Sequence, residues 1–207
     1  QGSAKQLDDN RYELVASIVL IIDGSETTIV DTGLATDLTG RNNMLKKLAD
    51  LNINPLLVNY VITTDGQPDH SGNTNSFPES LHFAGIFMYY KTQFSLSKLF
   101  HEDIINVSPN VHLLKTPGHS PDGITVIVTN AKNYGTVAVT GDVFTHKEDL
   151  KYSNIWQILS KNITEQAESR RTIICLVDYI IPGHGEIFLV ESRLKQKLNC
   201  PIDYKLR

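Results

Sequence analysis

Four times in this 207-residue chain, an apolar run that reads as a strand ends in a glycine-bearing turn carrying Asp or His. The first turn is Thr64-Asp65-Gly66-Gln67-Pro68-Asp69-His70-Ser71-Gly72-Asn73. The others are Thr116-Pro117-Gly118-His119, Gly141-Asp142 and Pro182-Gly183-His184-Gly185. A glycine lets the backbone bend sharply and approach closely, as a loop must if its polar side chain is to converge on a shared point. A single loop histidine is more often a surface or hydrogen-bonded core residue than a ligand. Four strand-end turns of one kind are harder to read as solvated loops, and imidazole with carboxylate suits a divalent ion.

The spacing of apolar residues supplies the frame for these turns. Strands are expected at Glu13 to Ile22 and Thr27 to Val30, joined by the Asp23-Gly24-Ser25 turn. Met44, Leu45, Leu48 and Leu51 follow helical spacing after Asn42 and Asn43, either of which can cap, and the helix leads into a strand over Leu57 to Thr63. Further strands are expected at His82 to Met88, Val111 to Leu114, Ile124 to Thr129, Thr136 to Val139 and Tyr179 to Ile181. Helices are expected from Asn154 to Leu159 and from Thr164 to Arg171. No linker-like or low-complexity tract divides the chain, so the expectation is one α/β (α+β) domain. Two sheets pack face to face with helices outside, a four-layer αβ/βα sandwich.

Composition narrows the function. With 41% hydrophobic and 20% charged residues the chain reads as globular and soluble, and the run Leu14 to Ile22 is interrupted by Ser17 and stops at Asp23, far short of a bilayer span. A net charge of −4 provides no basic field for phosphates, so a nucleic acid would have to be gripped locally. Cys175 and Cys200 are too few for a disulfide framework and point to a reducing compartment. The sequons at Asn106 and Asn162 read as chance matches. Gln1-Gly2-Ser3 reads as the remnant of a cleavable tag. That divides the chain into a lead-in over 1–10 and a single domain over 11–207, and leaves room for a longer parent chain.

Asp69-His70, Thr116-Pro117-Gly118-His119, Gly141-Asp142 and Pro182-Gly183-His184-Gly185, together with Asp31-Thr32-Gly33, resemble the metallo-β-lactamase superfamily over nearly the whole chain. Asp69-His70-Ser71-Gly72-Asn73 followed by Phe77-Pro78, and Gly141-Asp142-Val143-Phe144, are most similar to the metallo-β-lactamase domain-containing protein 1 family. The resemblance implies a dinuclear zinc hydrolase associated with endonucleolytic cleavage of histone pre-messenger RNA. Carried over position by position, His119 with Asp65 and Gln67 forms a first metal site. Asp69, His70 and His184 form a second, Asp142 bridges them, Asp69 orients the attacking water, and Asp31 supports the site from beneath.

The chain departs from the superfamily signature at Asp65 and Gln67, where histidines are usual. The second site keeps two imidazoles and two carboxylates, a full set for zinc. The first holds one imidazole, one carboxylate and one neutral amide oxygen, a set shifted toward Mn²⁺, Mg²⁺ or Fe²⁺. The implied cofactor is therefore Zn²⁺, one or two ions per chain, with Mn²⁺ or Fe²⁺ as alternatives at the first site. The implied partners are RNA or a small-molecule ester substrate, with no membrane and with a homodimer left open. The implied location is cytoplasmic, with the nucleus as a second place.

An endoribonuclease or phosphodiesterase is the first function expected, and a thioester or lactone hydrolase the second, since the same nucleophile attacks a carbonyl carbon. A non-catalytic metal-binding relative is the third. Tyr89, Tyr90, Phe94 and Trp156 are candidates for a substrate groove or, more simply, for packing. Arg170-Arg171 and Lys195-Gln196-Lys197 read as solvated helix faces. Among His82, His101, His112 and His146, only His146 follows a motif closely enough to reach the cleft.

Overall fold

A computed structural model of the chain describes residues 1–8 and 11–201. Strands β1 (Ser3–Asp8) and β2 (Arg11–Val15) pair antiparallel as a separate hairpin, so the segment read as a lead-in contains a strand. Strands β3 (Val19–Asp23), β4 (Glu26–Val30), β5 (Tyr60–Thr63), β6 (Leu81–Ala84), β7 (Phe87–Tyr90) and β8 (Gln93–Leu96) form one six-stranded sheet in that order. The other sheet is also six-stranded, ordered β14-β13-β12-β11-β10-β9: β9 (Ile104–Ser108), β10 (Val111–Lys115), β11 (Ile124–Ala131), β12 (Gly135–Val139), β13 (Tyr179–Ile181) and β14 (Phe188–Leu189). The helices are α1 (Leu38–Asp50), α2 (Pro68–Ser71), α3 (Asn154–Gln157), α4 (Ile163–Leu176) and α5 (Ser192–Lys197).

The two-residue side-chain period of a strand explains the layers, because each central strand is apolar on both faces. Val30, Ile62, Val111, Leu113, Val126 and Val139 meet between the sheets. Their neighbours turn outward: Ile29 and Val61 pack under Met44 and Leu48 of α1, while Leu114, Ile127 and Ala138 pack under Ile173 and Ile174 of α4. The result is the expected helix–sheet–sheet–helix sandwich.

Asp23, at the end of β3, ties the sheets together at one end. Its carboxylate accepts hydrogen bonds from Ser108 Oγ at 2.5 Å, Asn110 N at 2.9 Å and Asn110 Nδ2 at 2.8 Å. These donors hold the Asp23 carboxyl below its ordinary range. Because the folded-state pKa is depressed, the stabilisation is present above the unfolded value near 3.8 and fades as pH falls through the folded pKa. Asp23→Ala is expected to cost about 1–3 kcal/mol at pH 7, read from urea midpoints. The gap from the unmodified protein should close in acid, and a gap independent of pH would refute the ionic origin.

Several expected boundaries move for local reasons. The run Glu13 to Ile22 is two strands, broken at Ala16-Ser17-Ile18, where Ser17 N donates to Gly183 O at 2.6 Å. Helix α1 begins earlier than expected, capped by the Asp37 side chain on Gly40 N at 2.9 Å and not by Asn42 or Asn43. The run His82 to Met88 folds back on itself at Gly85, whose φ of +55° is the left-handed conformation a tight turn needs. A 3-10 turn over Pro55–Leu57 delays β5 to Tyr60.

The cysteine reading is corrected outright. Cys175 at the end of α4 and Cys200 beyond α5 are joined in a disulfide with Cα atoms 5.3 Å apart. Among the described residues no helix is long and apolar enough to cross a membrane.

Candidate metal centre

Strands β4 and β5 are parallel neighbours in the first sheet, and β12 and β13 are parallel neighbours in the second. Strands β10 and β12 both run antiparallel to β11 and so point the same way. The ends of β5, β10, β12 and β13 therefore deliver their turns to one edge of the sandwich. Asp69, His70 and His184 meet there, each buried, with one potential ligand atom apiece lying within 4.8 Å of the others. Asp142 lies against them: its Oδ1 is 3.2 Å from His184 Nε2 and 3.6 Å from His70 Nε2, and its Oδ2 is 3.7 Å from His119 Nε2.

Both histidines are oriented from behind. His70 Nδ1 lies 2.7 Å from Asp31 Oδ2, and His184 Nδ1 lies 2.9 Å from Val15 O. A proton on each Nδ1 satisfies these contacts and leaves the Nε2 lone pair facing the cluster, the tautomer that a metal ligand requires. Asp31, with a left-handed φ of 59°, also accepts from Thr64 N and Thr64 Oγ1, each at 2.8 Å. Val15 comes from the end of β2, so the break in the run Glu13 to Ile22 is what brings a carbonyl to His184.

The facing atoms are unsatisfied. His70 Nε2, His184 Nε2, Asp69 Oδ2 and both Asp142 oxygens are buried without a hydrogen-bond partner. Orphaned buried polar atoms cost free energy, and five of them converging on one point form a donor set suited to a cation. Electrostatics points the same way. Burial opposes charge on His70, yet Asp31, Asp142 and Asp65 lift its pKa well above the ordinary value. Burial opposes ionisation of Asp142, yet His184 and His70 hold its carboxyl far below the usual range. Burial raises Asp65. Several carboxylates in one dry pocket call for positive charge, and two imidazoles with two carboxylates fit one divalent ion.

Asp65, Gln67 and His119 adjoin this group in a different arrangement. Asp65 Oδ1 accepts from Gln67 N at 2.9 Å, closing a tight turn, and Asp65 Oδ2 is 3.9 Å from His70 Nε2. The Gln67 side-chain amide is in direct contact with His119 Nε2. That nitrogen is the one facing Asp142, so the Gln67 amide sits where a second ion would have to reach His119.

Sequence reasoning missed the residues that hold the Asp142 turn. Gln166 Nε2 donates to Asp142 O at 3.1 Å and Val143 O at 3.2 Å. Arg170, expected on a solvated face, is buried. It donates to Val143 O at 2.7 Å and Asp149 O at 3.2 Å, and its guanidinium lies 3.9 Å from the Phe144 ring centroid and 4.8 Å from that of Trp156. Only the helical phase of Gln166 and Arg170, four apart on α4, could have signalled this. Arg171, the adjacent residue, is exposed as expected.

Gly183 is fixed by contact with the site, since a Cβ there would collide with Asp142 Oδ1. Trp156 is a packed residue under Arg170, and Tyr89 and Phe94 stack at 4.8 Å on β7 and β8, away from the strands that carry the site. His82 stacks on Tyr89 and donates from Nε2 to Phe77 O at 3.0 Å, His112 contacts Asn106, and His146 pairs with Glu148 on the surface.

No family model matches the sequence. The chain is 39% identical over 193 residues to an uncharacterized protein of Caenorhabditis elegans, covering 93% of this chain and 53% of that one, about half its length. It is 32% identical over 196 residues to metallo-β-lactamase domain-containing protein 1 of Xenopus laevis, covering 92% and 79%. Among solved structures, a quorum-quenching N-acyl homoserine lactone hydrolase superposes with a TM-score of 0.64 at 19% identity, covering 95% of this chain and 88% of the other. A dizinc quorum-quenching lactonase superposes with the same TM-score of 0.64 at 14% identity, covering 86% and 76%. At these identities the structural neighbours carry the fold alone, while the frog relative carries the family. With the motif turns converging at one sheet edge of the same sandwich, the chain belongs to the metallo-β-lactamase domain-containing protein 1 family.

Proposed function

We propose that the chain is a hydrolase that works with a single divalent ion, held by Asp69, His70, His184 and Asp142, and that it cleaves a small carbonyl ester, either a lactone or a thioester. The observation that carries this reading is the set of five orphaned buried donor atoms facing one another at the sheet edge. An ion held there supplies Lewis acidity, making a water nucleophilic at neutral pH and polarising the substrate oxygen.

The protein's own part is positional. His70 and His184 are locked by Asp31 and by Val15 O, and Asp142 is held from behind by Gln166 and by the Arg170 contacts to Val143. The Asp69 side chain is 10% exposed, against 1% for Asp142 and 0% for both histidines. It alone of the four reaches the mouth, and its carboxylate is placed to orient a water and take its proton.

A small neutral substrate accords with a chain of net charge −4, which offers no field for a polyanion. Two of the structural neighbours act on lactones by their names. Endonucleolytic cleavage of RNA, of the histone pre-messenger type, is the second reading, favoured by the similarity to the metallo-β-lactamase domain-containing protein 1 family. Zinc-loaded protein should be assayed in parallel on an acyl homoserine lactone, an acyl thioester and a single-stranded RNA. Turnover of the lactone or thioester is expected, reduced about 10²–10⁴-fold by Asp69→Asn. Cleavage of RNA alone would install the second reading. Stoichiometric metal with no turnover of any of the three would make the chain a non-catalytic metal binder.

A further inference from the structure

Two kinds of feature remain that the metal centre does not use: the two cysteines and the two Asn-X-Ser/Thr sequons. Each is weak alone, since a three-residue sequon turns up readily in any sequence. The fold brings them into agreement. Cys175 and Cys200 lie 25 residues apart in sequence and are joined, fastening the last turn of α4 to the chain beyond α5 and leaving no free cysteine. A cross-link of this kind persists where the surroundings are oxidising and is rare in the reducing cytosol.

Both sequon asparagines are exposed. Asn106 lies on β9, the edge strand of the second sheet, and Asn162 is the N-cap of α4. Each uses its side-chain oxygen for structure: Asn106 Oδ1 is 2.7 Å from His112 Nδ1, and Asn162 Oδ1 accepts from Glu165 N at 3.2 Å. The oxygen of a glycosylated asparagine still accepts hydrogen bonds, whereas the nitrogen carries the sugar. In both residues the required nitrogen is thus left outside the hydrogen bond that holds the side chain. The middle residues are Val107 and Ile163, so no proline blocks either acceptor.

We infer that this chain matures in an oxidising, glycosylating compartment, with the Cys175–Cys200 bond closed and N-linked glycans carried on Asn106 and Asn162. The glycan at Asn162 would stand beside the metal centre, because Asn162 N donates to Gly118 O at 2.9 Å and Gly118 precedes His119. Such a location also separates the chain from nuclear RNA.

The test uses protein expressed from its full natural coding sequence in cultured animal cells. The protein is denatured and alkylated without reductant, then treated with a peptide N-glycosidase in heavy-oxygen water and mapped by mass spectrometry. The expected result is one Cys175–Cys200 linked peptide, no alkylated cysteine, and heavy-oxygen aspartate at positions 106 and 162. Asn106→Gln and Asn162→Gln should each remove one electrophoretic shift. Label at one asparagine with the bond intact supports the compartment and removes the other site. Alkylation of both cysteines, or label at neither asparagine, overturns the inference.

Discussion

His184→Ala is expected to abolish stoichiometric zinc binding, while Gln67→Ala leaves about one ion per chain, both read by equilibrium dialysis of the purified protein. His184 Nε2 faces Asp69 Oδ2 at 3.4 Å and Asp142 Oδ1 at 3.2 Å, so its loss removes one of only two imidazoles from the set. The Gln67 amide is a poor donor already engaged with His119. His70→Ala should match His184→Ala. Asp31→Ala, which frees the His70 ring without removing a ligand, should weaken zinc by about 10–100-fold. Equal loss in the Gln67 and His184 variants would mean that Gln67 is a ligand and that the ion sits nearer His119. The converse change is Asp65→His with Gln67→His, which releases His119 and offers two further imidazoles. Occupancy is then expected to rise toward two ions.

Arg170→Ala should cost about 3–5 kcal/mol of folding stability, the largest loss expected from one side chain outside the metal ligands. Burial pulls the guanidinium pKa down to about 10, with Asp149 opposing the shift, and burial raises the Asp149 carboxyl. Truncation leaves Asp149 in a dry pocket without its cation, with Thr145 N at 2.8 Å among the backbone donors left to it, and leaves the Val143 carbonyl to Gln166 Nε2 at 3.2 Å. The Phe144 and Trp156 rings lose the cation between them. Because Val143 follows Asp142, zinc affinity should fall together with the urea midpoint. In a double-mutant cycle Arg170→Ala should cost much less once Asp149→Ala is present. A loss under 1 kcal/mol in the single variant would show that water enters and solvates the pair.

The sandwich and the ligand turns were legible in the residues because both follow local rules. Val126 and Ile127, or Val30 and Ile29, announce a strand buried on both faces by their own apolarity, and Tyr179 to Ile181 was located to the residue. Each candidate ligand sits within a few residues of a strand end, so Asp69, His70, His119, Asp142 and His184 stood out in glycine-bearing turns, and the family resemblance sorted them into two sites. The structure gathers Asp69, His70, Asp142 and His184 and sets His119 against Gln67. The edge strands β8 and β14 were not found, since one is exposed throughout and the other is two residues long, and β9, Ile-Ile-Asn-Val-Ser with Ile105 in the core, was missed although it carries an apolar signal. The partners of the site could not be read at all. Val15 O on His184, Gln166 on Asp142 O, Arg170 on Val143 O and the Gln67 contact with His119 join residues 24 to 169 positions apart. The same holds for Cys175 and Cys200, which two helices bring together. A sequence by itself determined which groups could bind a cation, because that is side-chain chemistry. Which atoms are left bare to bind it was decided only by the tertiary structure, because a hydrogen bond over such separations exists only after the chain has closed around it.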